Sequence, residues 1–126
     1  ADAIGLGAAI DYVQNIGLAN IERHERELTK YAMNALATVP GLRLIGTAPH
    51  KISTIAFTME GISPDEIARH LDKEGIAVRT GHHCAQPLLR RYGVKSTVRA
   101  SLVMYNIPEE IDILAGVLLD IAKNRR

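Results

Sequence analysis

One segment concentrates the reactive side chains: Arg79-Thr80-Gly81-His82-His83-Cys84-Ala85-Gln86-Pro87. It holds the single cysteine and two of the five histidines, with Arg79 ahead of them and Arg90, Arg91 and Arg99 behind. The thiolate is the reactive form of cysteine, and neighbouring positive charge favours it relative to a free thiol, whose pKa is about 8.5. Gly81 permits a sharp bend, and Pro87 stiffens the exit. A cysteine on such a loop suits a nucleophile that travels to its substrate. The plainer reading, a small buried hydrophobe, fits a polar, glycine-containing loop poorly.

Two other chemistries use the same residues. Zinc could be held by His82, His83 and Cys84, but adjacent residues rarely converge on one ion, and the spacing matches no usual zinc pattern. Acyl transfer could pair Cys84 with His82 or His83 as base, but sequence neighbours seldom present nucleophile and base to each other. Arg99 stands inside the apolar run Val98-Arg99-Ala100-Ser101-Leu102. It either points to solvent from an edge strand or offers its fork to an anion, most naturally a carboxylate. The residues by themselves leave both open.

The elements that must carry these side chains follow from hydrophobic period and capping. Leu6, Ile10 and Val13 predict a helix from Asp2 to about Ile16, stopped by Gly17, although Gly5 and Gly7 weaken its first turns. A second helix is expected from about Asn20 to Thr38, with Ile21, Leu28, Ala32, Ala35 and Val39 on one face and a solvated charge run opposite. Glu22 and Arg26 make an i,i+4 pair there, and Pro40-Gly41 ends the helix. Leu42–Ile45 and Ile52–Met59 read as strands, expected to pair antiparallel. Ser63, Pro64 and Glu66 form a capping-box start, flanked by Ile62 and Ile67 at the staple positions, for a helix ending near Gly75. Ile76–Val78 reads as a strand, and 79–95 as a long loop with one helical turn at Leu88–Tyr92. Val98–Met104 reads as another strand. A last helix opens at Pro108, carries Ile111, Leu114, Leu118 and Ile121, and is capped by Asn106 and Glu109.

This order predicts an α/β chain of the α+β type, a small, largely antiparallel sheet with helices packed on it. The long loop is the anomaly, and such loops in compact domains are usually functional.

Composition narrows the classes. The chain has 126 residues, a single domain's worth, with 47% hydrophobic and 23% charged residues, too apolar for disorder. A formal charge of +1 argues against nucleic-acid or anionic-membrane binding driven by a bulk field. A lone cysteine cannot form an internal disulfide. No stretch approaches the roughly 20 apolar residues of a membrane span, and no signal-peptide pattern opens the sequence. A cytoplasmic location is expected. The sequence starts at Ala1 without Met and already reads as helix, which leads to the expectation of a piece of something longer.

The run Gly75-Ile76-Ala77-Val78-Arg79-Thr80-Gly81-His82-His83-Cys84-Ala85-Gln86-Pro87-Leu88 resembles the C-terminal part of a cysteine desulfurase. So do Val98-Arg99-Ala100-Ser101-Leu102 and Tyr105-Asn106. The likeness is to the SufS-type group of the class V aminotransferase family, related to selenocysteine lyases. It extends over essentially the whole chain. It implies that Cys84 is the catalytic cysteine, which takes sulfur from L-cysteine as a persulfide and releases L-alanine. It implies that Arg99 clamps the substrate carboxylate and that Arg79 is a second active-site arginine. His82 and His83 are implied to shape the loop or its electrostatics. The implied cofactor is pyridoxal 5′-phosphate. The implied partners are a sulfur-acceptor protein of SufE or SufU type and a second subunit in a homodimer, the sulfur serving iron–sulfur cluster assembly.

One departure is informative. The family's Schiff-base lysine follows a His and precedes Gly-Pro and Gly residues. Here His50-Lys51 runs on into Ile52-Ser53-Thr54-Ile55-Ala56-Phe57 and reads as a surface-loop coincidence. Lys30, Lys73, Lys95 and Lys123 have no such setting either. The expectation is therefore a single domain, 1–126, that is the small C-terminal domain of a larger enzyme and is inactive by itself. No cofactor-binding or metal-binding residue is expected in it. The other readings are a selenocysteine lyase, a stand-alone persulfide carrier, and a structural domain with an inert cysteine.

Overall fold

Local chemistry sets where the chain turns. The computed structural model describes residues 1–124, with helices α1 (Asp2–Ile16), α2 (Leu18–Ala37), α3 (Pro64–Lys73), α4 (Gln86–Tyr92) and α5 (Pro108–Lys123). The strands are β1 (Leu42–Ile45), β2 (Thr54–Met59), β3 (Arg79–Gly81) and β4 (Thr97–Ser101). At α3 the Ser63 Oγ accepts the Glu66 amide at 3.2 Å, as the capping signal predicts. The reciprocal bond from the Glu66 carboxylate is not formed among the described residues. The helix ends in a Schellman motif: Ile76 N–H donates to Leu71 O at 2.9 Å and Gly75 N–H to Asp72 O at 3.0 Å. Gly75, at φ 73°, takes the left-handed position this requires.

The four strands form one antiparallel sheet in the order β1-β2-β4-β3. Ile55, Phe57 and Met59 of β2 share a core face with Val98 and Ala100 of β4. Against that face pack Leu28, Ala32 and Leu36 of α2, Ile67 and Leu71 of α3, and Ile111, Leu114, Leu118 and Ile121 of α5. Phe57 and Leu36 are completely buried, and full burial of such a side chain contributes about 1.5–3 kcal/mol. The expected α+β arrangement is what the fold shows.

Three expectations need correction. Ile76–Val78 is not a strand: Ile76 and Val78 pack partly buried against the core, but the ladder begins at Arg79, inside the expected loop. Local alternation gave the burial of these residues and not their pairing, which depends on where β4 lies. The expected strand Val98–Met104 is Thr97–Ser101. The cap of α5 uses Glu110 rather than Glu109: Glu110 Oε2 accepts the Ile107 amide at 3.0 Å and the Asn106 side-chain amide at 2.9 Å. Helix α1 forms where its period predicts, yet none of its residues is buried, and Ile4 is 79% exposed.

Candidate active site

The face of the sheet opposite the core carries the reactive cluster. Val98 and Ala100 face the core, so the alternating residues Thr97 and Arg99 project from the other side. Helix α4 covers part of that side, where an Arg43 guanidinium N–H donates to Tyr92 O at 3.1 Å. Ile45 and Leu89 are buried outside the main core. Strand β3 pairs with β4 so that Arg79 lies opposite Arg99 and Gly81 opposite Thr97. No salt bridge to either arginine is formed among the described residues. The Arg99 Nε is buried and has no hydrogen-bond partner among them.

Gly81, at φ 121°, leads out of β3 into a tight turn in which the Ala85 amide donates to His82 O at 2.8 Å. Its two central residues, His83 and Cys84, have φ of 51° and 56°. Paired positive φ values belong to the primed turns, which ordinarily carry glycine or asparagine. For an L-residue each such conformation costs about 1–2 kcal/mol. The side chains around the turn offset part of this. His82 Nδ1 accepts the Cys84 amide at 3.0 Å, which leaves the ring proton on Nε2. Cys84 itself is an exposed free thiol.

His83 fastens the turn to β4. Its Nε2 lies 3.3 Å from Thr97 O and 3.1 Å from Thr97 Oγ1. A carbonyl only accepts, so Nε2 donates and Nδ1 holds a lone pair. That Nδ1 is buried and unpartnered among the described residues. Burial pushes the imidazole below its ordinary pKa, the Thr97 carbonyl pulls the other way, and Arg99, Arg79 and His82 add to the lowering.

Arg79, His82, His83, Cys84 and Arg99 therefore occupy one face and one turn, although the sequence separates Arg99 from the rest. Thr97 is the residue that sequence reasoning missed. Nothing in Ser96-Thr97 marks it, and only the antiparallel register brings it under His83. A cleft of about 210 Å³ flanks the turn, lined by His82, Gln86, Leu89, Arg90, Val94 and Lys95. Among the described residues no group of three or more His, Cys, Asp or Glu is arranged to hold a metal.

The arginine pair fits anionic groups, such as the carboxylate of an amino acid. The covalent anchor that pyridoxal phosphate requires does not fit the lysines present. Lys51 lies half-buried in the loop between β1 and β2, its Nζ donating to Gly46 O at 3.0 Å. Burial holds it below the ordinary lysine range. It precedes β2, whose first residue Thr54 pairs with Ser101, at the end of β4 away from Thr97. Lys95 is exposed beside the cleft, and Lys30, Lys73 and Lys123 are exposed on helices. No helix among the described residues is long and apolar enough to cross a membrane.

Residues 1–114 match the family model for aminotransferase class-V. A cysteine desulfurase of Synechococcus elongatus is 56% identical over 118 residues, covering 94% of this chain and 19% of that protein. The apo structure of a cysteine desulfurase from Thermococcus onnurineus NA1 shares 37% identity and a TM-score of 0.92, covering 97% of this chain and 31% of that one. The cysteine desulfurase CsdA of Escherichia coli, in an S-sulfonic acid form, shares 36% identity and a TM-score of 0.86, covering 96% of this chain and 30% of that one. The chain thus spans between 19% and 31% of the length of these relatives. The family match runs through every strand and into α5, and the chain belongs to the aminotransferase class-V family.

Proposed function

We propose that this chain is the small, cysteine-bearing domain of a pyridoxal-phosphate-dependent cysteine desulfurase of SufS type. The observation that carries the reading is the exposed Cys84 thiol on a left-handed turn beside the opposed Arg79 and Arg99. In this reading Arg99 binds the substrate carboxylate through its fork, and Arg79 adds positive charge to the same face. The Cys84 thiolate attacks the sulfur of L-cysteine. An S–S bond forms and the C–S bond breaks. The electron pair leaves with the carbon skeleton, which takes up a proton to become L-alanine. Sulfur stays on Cys84 as a persulfide.

The cofactor and its lysine belong, in this proposal, to the part of the enzyme that this chain does not span. The exposure of Cys84 suits hand-over of the persulfide sulfur to an acceptor protein of SufE or SufU type for iron–sulfur cluster assembly. A cytoplasmic homodimer is the setting we assign to it.

The test is alanine formation from L-cysteine by the full-length enzyme carrying this chain. Cys84→Ser is expected to abolish alanine formation and to leave cofactor absorbance in place. Undiminished alanine formation by Cys84→Ser overturns the reading. Activity on selenocysteine with none on cysteine moves it to a selenocysteine lyase.

A further inference from the structure

Charge is unevenly divided along this chain. All 14 acidic residues lie outside positions 75–108, while Arg79, Arg90, Arg91, Lys95 and Arg99 lie inside. The formal charge of +1 therefore hides one strongly positive segment in a chain that is otherwise acidic. The fold keeps that segment uncompensated on its outer side. Asp65 accepts the Thr80 hydroxyl and Glu110 the Ile107 amide, but both come from α3 and α5, which pack on the core side of the sheet. Arg90, Arg91 and Lys95 are exposed, and none forms a salt bridge among the described residues.

These cations stand beside the thiol. Helix α4 begins at Gln86, two residues after Cys84. Arg90 shares with His82 and Lys95 the cleft that flanks the Cys84 turn. Leu88, 51% exposed, adds an apolar side chain to the same helix. The seven residues of α4 run for about 10 Å, more than a small thiol can span.

We propose that α4 and the Arg90–Lys95 cleft form the docking face for a protein that carries carboxylates around its own reactive thiol. An apolar contact within a charged rim is the anatomy of a protein–protein interface. Opposite charges steer the encounter and fix its register, which brings the partner's thiol to Cys84. The transfer itself rests on the desulfurase reading. There the partner's thiolate attacks the outer sulfur of the Cys84 persulfide. A new S–S bond forms on the partner, the S–S bond at Cys84 breaks, and its electron pair stays on Cys84 as a thiolate.

The test uses two short peptides with a central cysteine activated as its thiopyridyl disulfide, flanked in one by glutamates and in the other by glutamines. Exchange at Cys84 is followed by mass spectrometry on the full-length protein carrying this chain. Each rate is taken relative to that of 2-mercaptoethanol with the same peptide. The glutamate peptide is expected to react about tenfold faster than the glutamine peptide at low ionic strength, and salt should erode the advantage. In Arg90→Gln/Lys95→Gln the advantage should fall about threefold. Equal rates for the two peptides overturn the proposal. So does an advantage that the double substitution leaves intact, which would assign it to Arg79 and Arg99. A short RNA that slows both peptides at physiological salt would make this a nucleic-acid face and also overturn it. None of these readouts needs turnover. A protein that makes no alanine from L-cysteine sinks the desulfurase reading and leaves the peptide rates to judge the docking face.

Discussion

Arg79 and Arg99 are register partners across the β3–β4 ladder, two arginines at directly opposed positions on neighbouring strands. Like charges opposed in this way destabilise a sheet, and no carboxylate forms a salt bridge with either among the described residues. In the proposed function, an anion that both can serve accounts for the arrangement. It is the geometric core of the proposed carboxylate site.

Relieving the pair should stabilise the chain. Arg79→Thr puts a β-branched residue opposite Arg99 and is expected to add about 0.2–1 kcal/mol at low ionic strength. Salt screens exposed charges, so the gain should shrink toward high ionic strength. Thermal melts of both proteins at two salt concentrations check this. A gain that is independent of salt would mean that strand propensity, not repulsion, is responsible.

The turn holds Cys84 in a strained left-handed conformation. Cys84 has φ 56°, so Cys84→Gly should remove the steric penalty while adding backbone entropy to the unfolded chain. The net stabilisation expected is up to about 1 kcal/mol, together with complete loss of thiol labelling. Chemical denaturation measures it, and a destabilised glycine variant would show that the cysteine side chain contributes packing.

His83 should make stability depend on pH on the acid side of neutrality. Its pKa in the fold is pushed down, chiefly by burial, from the ordinary 6.5. The unfolded chain therefore binds more protons between the folded value and 6.5, and stability rises with pH across that window. Its contribution is complete above 6.5 and is lost as pH falls through the folded value. His83→Gln, which does not titrate, should flatten this part of the profile in denaturant titrations run at a series of pH values. An unaltered slope would place the titration elsewhere.

Glu110 should act in the same direction at lower pH. The Asn106 side-chain amide, then the Ile107 amide, hold its carboxylate below the ordinary 4.5. A depressed carboxylate stabilises above its unfolded pKa and loses that effect as pH falls through the folded value. Glu110→Ala is expected to lower the melting temperature at neutral pH, with the difference from the unsubstituted chain closing as pH falls from 4.5 through the lowered folded value. A difference that persists in acid would assign the loss to other contacts of the Glu110 side chain rather than to the charged cap.

Much of the helical framework could be read from local signals. Ser63 and Glu66 marked the start of α3, Gly75 its end, and Gly17 the end of α1, because caps and left-handed glycines act within a few residues. The reactive cluster around Cys84 was equally legible, since its side chains are adjacent in the chain. Residue type and order alone determined which groups could do chemistry here. They could not decide that Arg79–Gly81 is a strand, that Arg99 stands opposite Arg79, or that Thr97 receives His83. Those relations come from an antiparallel register between segments 14 to 20 residues apart in the chain. Such a register is selected by which face of β4 must be buried against Ile55 and Phe57. The tertiary structure turned a cysteine with basic neighbours into a strained turn fastened to Thr97, on the strand where Arg99 stands opposite Arg79.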